Sequence, residues 1–104
     1  MAKNAYSIAV NFNKANQQAD KLVKIAGEIL TEKNKVSESK RILQMNWKGE
    51  GASSYMSKLT RLEEKLSGEA EKLQKVAKTI REIAQKTYNS EKRALEIAKV
   101  RSYK

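Results

Sequence analysis

Apolar residues in the first part of the chain recur at alternating intervals of four and three. Ile8, Phe12, Ala15, Ala19, Leu22, Ala26, Ile29, Val36 and Leu43 keep this spacing, which continues to Trp47. It is the period of a helix that buries one stripe against another helix. Lys33 and Lys40 occupy two positions of the same stripe. Val23, Ile25, Leu30 and Ile42 lie off it and widen the apolar surface. The pattern predicts one helix over about residues 4–45, roughly 60 Å long at about 1.5 Å per residue.

A second pattern of the same spacing runs through Ala52, Tyr55, Leu59, Leu62, Leu66, Leu73, Val76, Ile80, Ile83, Ala94 and Ile97. Glu69, Thr87 and Ser90 interrupt it. A flanking row of Met56, Ala70, Ala77, Ala84 and Ala98 runs beside it, and its small residues would let a further helix approach closely. Ser53 and Ser54 are placed to cap the helix. The pattern predicts a second, longer helix over about residues 52–101.

Between the two patterns stands Trp47-Lys48-Gly49, which holds the only Trp of the chain. There is no Pro, and two of the four Gly residues, Gly49 and Gly51, fall here. Gly tolerates the positive φ that a tight reversal needs. The expected fold is therefore all-α: one domain over residues 1–104, an antiparallel two-helix hairpin turning at 47–51. A lone hairpin buries little surface per residue, and the apolar rows are wider than one helix contact needs. Dimerisation into an elongated four-helix bundle would bury the remainder. Gly27 and Gly68 lie at similar distances from the turn, so they mark either a close crossing or neutral surface positions.

Composition narrows the chemistry. The chain has no Cys and no His, which removes disulfides, Cys-based metal sites, and the commonest general base. Neighbouring carboxylates such as Glu63 and Glu64 point to different parts of the helix circumference. No phosphate loop, nucleophile–base pair or metal-ligand cluster is present. The reading is a non-enzyme with no cofactor and no metal. No apolar run approaches the roughly 20 residues needed to cross a bilayer. Asn11, Asn13 and Lys14 break up any signal-peptide apolar region. Export, if it occurs, would use a route that reads no cleavable signal.

The net charge is +10, from 22 basic and 12 acidic residues, and the excess is spread along the chain. Such a field favours acidic partners. The rival to a protein-binding hairpin is a basic helical protein that grips nucleic acid through phosphates. Against it, acids interleave with the bases around both helices, and the aromatic residues are few and scattered.

A chain of this length with two Pro-free helices around Trp47-Lys48-Gly49-Glu50-Gly51-Ala52 resembles the WXG family, the early-secreted-antigen-like substrates of type VII secretion. The resemblance covers nearly the whole chain. It implies homodimers or heterodimers that leave Gram-positive bacteria folded, through a membrane ATPase machine, after a cytoplasmic stage. It also implies two recognition elements. One is the W-x-G turn, here Trp47 and Gly49. The other is a C-terminal Tyr followed four places later by an acid. Here Tyr88 is followed at that place by Lys92, and the nearby acid, Glu91, comes one position early. Tyr88 and Glu91 still share a helix face and would form a variant export signal, unless the signal lies on a partner.

A second departure is charge, since many members are acidic. In Firmicutes, hairpins of this type also accompany LXG toxins and bind the toxin's helical N-terminal region. A basic hairpin suits an acidic helical partner of that kind. Bland roles stand beside these: Trp47 as a plug closing the hairpin, Tyr88 and Glu91 as ordinary helix residues, and the Lys-rich faces as solvated surface.

Overall fold

The structure, a computed structural model, describes residues 4–102. Two helices, α1 (Ala5–Asn46) and α2 (Glu50–Ser102), make up nearly all of it, and they form an antiparallel helical hairpin. Asn4 starts α1. Its Oδ1 accepts the Ser7 N–H at 2.8 Å, and Ser7 Oγ accepts the Asn4 N–H at 3.1 Å. This reciprocal pair satisfies two N–H groups that a helix start otherwise leaves open.

The chain packs as two compact units, each holding a stretch of both helices. The terminal unit comprises Met1–Leu22 with Lys75–Lys104, and the turn unit is Val23–Gln74. In the terminal unit, Ile8 and Ala19 are buried, and Phe12, Ala15 and Leu22 are half-buried. Ala77, Ile80, Ala84 and Tyr88 meet them from α2. The rings of Phe12 and Tyr88 pack at 4.8 Å between centroids, and Arg81 hydrogen-bonds Asp20 across the pair.

In the turn unit, Ala26 is buried, and Ile29, Val36 and Leu43 are half-buried. Ala52 and Ala70 are buried on α2, with Met56, Leu59, Leu66 and Leu73 half-buried beside them. The α1 stripe read from the sequence is thus the stripe that packs.

On α2 the structure corrects the reading. Ala52, Leu59, Leu66, Leu73 and Ile80 face α1 as the spacing implies. Their companions are not Tyr55, Leu62, Val76 and Ile83, which stand 41–59% exposed. The companions are Met56, Glu63, Ala70, Ala77 and Ala84, the row that reads from sequence as a flank for another helix. The reason is steric. Helix axes come together only where side chains are short, and Ala70 and Ala77 are 1% exposed. The bulky row is left outside.

The two lysines on the α1 stripe also find a reason. Lys40 Nζ lies 3.0 Å from Glu63 Oε1, and Ser37 Oγ donates to Glu63 Oε2. Both bonds join α1 to α2, so Glu63 anchors the polar stretch of the contact. The Ser37 hydroxyl, then the Lys40 ammonium, hold the Glu63 carboxyl below its ordinary value against the desolvation that would raise it.

Gly27 and Gly68 mark no close crossing. A Cβ added at either meets nothing within 4 Å. Gly27→Ala and Gly68→Ala should therefore each stabilise the fold by about 1 kcal/mol, by removing the backbone freedom of Gly inside a helix. A thermal melt should show an upward shift of a few degrees for each; a fall would mean that a neighbour fills the space.

The Glu63 cluster makes a pH-dependent prediction. A carboxyl whose folded pKa is depressed contributes stability above its unfolded pKa and loses it as the pH falls through the folded value. Glu63→Gln should lower the melting temperature at about pH 7, and the loss should shrink as the pH falls through the depressed folded value and the wild-type carboxyl takes up its proton. A loss that stays equal across that range would assign the effect to packing.

Candidate functional site: the W-x-G reversal and the Tyr88 groove

The reversal is shorter than residues 47–51. Trp47 still belongs to the last turn of α1, because its N–H donates to the Leu43 carbonyl at 2.8 Å. Asn46 Nδ2 donates to the Ile42 carbonyl at 2.9 Å and closes off another acceptor of that last turn. Gly49 then takes φ +114°, and among the described residues no other has a positive φ. Its carbonyl accepts the Ser53 N–H at 3.0 Å. Gly49 is therefore the N-cap of α2, and Ser53 and Ser54, expected to cap, lie inside the first turns. Glu50 opens α2 and sets a carboxylate at the positive end of the helix dipole.

These constraints explain the residue types. An L-residue at position 49 would be strained by its backbone alone, with open space around it. Gly51 is different. It is helical, and a Cβ there would sit 3.6 Å from Trp47 Cζ2, an ordinary contact. So one glycine of the pair is needed for the turn. The second is a helix residue beneath the indole.

The indole packs on Tyr55 at 5.7 Å between ring centroids and remains 43% exposed. It is a lid seated on one side and wet on the other, not a buried plug. Lys48 is exposed beside it, and Gln44, Ala52 and Met56 complete a shallow depression around the two residues. The partnership with Tyr55 was legible only as spacing, since that residue reads from sequence as part of the hairpin seam.

Tyr88 and Glu91 sit together in the terminal unit, half-buried on α2. Both line an apolar groove of about 260 Å³ with Ile8, Phe12, Ile80 and Ile83. The Tyr88 ring stacks on Phe12, and Lys92 Nζ stands 5.4 Å from the Tyr88 ring centroid. The residue that replaces the acid of the family pattern thus places a cation over the tyrosine face. The sequence held no signal for the Phe12–Tyr88 pair beyond their matching distances from the turn.

Among the described residues, no helix is long and apolar enough to cross a membrane. Nor does any group of three or more His, Cys, Asp or Glu residues among them form a metal site. A reversal made of Trp47, Lys48 and Gly49 between two long amphipathic helices defines a small helical hairpin of the W-x-G type. The chain belongs to the WXG100 family, described as proteins of 100 residues with WXG, which matches residues 7–91. The family is one of non-enzymatic helical proteins secreted by the type VII route, and the chain is accordingly a small type VII secretion-associated protein. No curated protein and no solved structure matches the chain.

Proposed function

We propose that the protein is a secreted substrate or effector partner of a Gram-positive type VII secretion system, acting by helix–helix association and presenting the W-x-G reversal to the export machinery. The family match over residues 7–91, with the motif at the reversal itself, carries this reading. The exposed indole supports it. A Trp kept only for packing would be covered, whereas Trp47 shows a wet aromatic face beside Lys48. Before export the protein has a cytoplasmic pool, and it leaves folded.

Its binding partner is a second helical element: a copy of itself, another hairpin, or the acidic helical N-terminal region of an LXG toxin. Pairing would complete a four-helix bundle and cover the apolar row that α2 leaves in solvent. Tyr88 and Glu91 supply a variant C-terminal signal, with Tyr88 held in place by Phe12. The hairpin then serves as targeting subunit and chaperone-like cover for the helices of its partner.

Trp47→Ala tests the reading. Truncating a fully buried aromatic costs about 3–5 kcal/mol, and a half-exposed one should cost less, about 1–2 kcal/mol. The variant should stay helical and melt cooperatively, while its export and that of any co-secreted toxin fall sharply. A normal melt with undiminished export would leave the reversal as a turn and nothing more.

A further inference from the structure

Along the sequence the positive charge is nearly even, but folding gathers it. The terminal unit, Met1–Leu22 with Lys75–Lys104, holds twelve of the 22 basic residues and four of the 12 acidic ones. Its net charge is therefore +8. The turn unit, Val23–Gln74, holds ten basic and eight acidic residues, a net of +2. Most of the terminal excess lies on α2, where residues 75–102 carry eight bases and three acids.

The same stretch of α2 leaves large apolar residues in water. Val76, Ile83, Ile97 and Val100 are 48–59% exposed. At about 100° per residue, all four fall within about a third of the helix circumference. Lys86, Arg93 and Arg101, all exposed, fall in the same third. One acid of the stretch, Glu82, reaches its margin, a helix turn from both Lys78 and Lys86. The buried Ala77 and Ala84 point nearly the opposite way, toward α1.

We propose that this face, wholly within the terminal unit, docks the hairpin on the surface of an anionic phospholipid bilayer. Lys86, Arg93 and Arg101 meet the lipid phosphates, while Val76, Ile83, Ile97 and Val100 seat shallowly at the boundary between headgroups and acyl chains. A cluster of roughly four to eight bases on an amphipathic helix is the usual form of such a surface. Each base contributes about fivefold in affinity when it lies within a Debye length of the lipid charge.

The placement of the residues decides between a bilayer and other anionic partners. Nucleic acid would take the cations but leave the four apolar side chains in water, and the face has no aromatic residue on which a base could stack. A partner helix needs an unbroken apolar seam with its charges at the edges. Here Thr79 and Ser90 stand in the middle of the face, and Lys86 and Arg101 stand among the apolar residues. A lipid interface accepts that mixture. It needs no register, and long basic side chains can lay their stems on apolar surface while the charge stays with the headgroups. A partner helix on the same residues would displace the lipid, so the bilayer-bound state is that of the unpaired hairpin.

The experiment uses the full chain and sedimentation with lipid vesicles, either of phosphatidylcholine alone or with about a third phosphatidylglycerol, at about 0.05 M and about 0.5 M salt. The anionic vesicles should hold the chain at least about tenfold more tightly than the neutral ones, with the difference shrinking at high salt. Lys86→Glu with Arg93→Glu should remove at least about tenfold of that affinity. Lys58→Glu with Lys65→Glu, the same change of charge in the turn unit, should cost much less. Ile97→Ser with Val100→Ser, and separately Val76→Ser with Ile83→Ser, should each weaken binding several-fold without lowering the melting temperature, since these side chains already meet water.

Retention by both kinds of vesicle alike, or by neither, would overturn the proposal. So would equal losses from the two charge-reversed pairs, or serine variants that bind as the unaltered chain does. Tighter binding to random-sequence DNA than to the anionic vesicles, unchanged in the serine variants, would assign the charge to nucleic acid instead. Lipid docking is separate from export: a chain that is never exported would still bind the vesicles.

Discussion

The structure depends on how closely two helices approach, and alanine decides that. Ala19 and Ala26 on α1, and Ala52, Ala70, Ala77 and Ala84 on α2, are buried, with Ile8 beside them. Short side chains bring backbones near and leave little room for anything large between them. Larger residues such as Phe12, Leu22, Leu59 and Leu73 therefore flank the line of contact half-buried. Such a core removes little apolar surface per residue, which is the usual weakness of a two-helix fold. The same geometry that closes the hairpin leaves its bulky α2 row in water.

Polar anchors take up positions where the apolar stripe lapses. Lys40, Ser37 and Glu63 join the helices in the turn unit, while Asp20 and Arg81 do so in the terminal unit. An exposed ion pair contributes little to stability, but a half-buried one that pairs a given residue on each helix fixes register. Register matters here because a helix sliding along its partner by one heptad would still find alanine and leucine. It would not find Glu63 beside both Lys40 and Ser37. At the reversal, Gly49 supplies the positive φ and the first acceptor of α2, and Trp47 folds over Tyr55. Packing covers only part of the indole, and the rest meets solvent.

The hairpin itself was legible in the sequence, because Pro-free heptads on both sides of Trp47-Lys48-Gly49 admit few other folds. On α1 the stripe from Ile8 to Leu43 was readable from its four-three spacing, even though alanines and two lysines share it and Val23, Ile25, Leu30 and Ile42 lie beside it. Helix α2 carries three apolar rows. Spacing alone cannot say which two of them pack, and residue size points toward Tyr55, Leu62 and Val76. The contact went instead to the smaller row, a steric outcome that hydrophobicity does not encode. Ser53 reads as a cap by residue type, yet Gly49 takes the role because the backbone is already turned there. Trp47 and Gly49 stood out as rare residue types at a singular place. For Tyr88 the sequence showed an imperfect export pattern and hid the Phe12 ring that holds it.

Because the chain has no Cys, single cysteines can report which face of α2 is covered. The most direct measurement is the rate of thiol labelling at positions 76 and 77, placed one at a time, with position 62 against 70 as a second pair. Positions 76 and 77 differ by about 100° around the helix, and 62 and 70 by about 80°, so in each pair one is covered and the other is open. The account requires slow labelling at 77 and 70, limited by opening of the hairpin, and labelling at 76 and 62 close to the rate of an unstructured peptide. Rapid labelling at 77 with protection at 76 would mean that α2 packs through its bulky row, and the surface assigned to the partner would not exist.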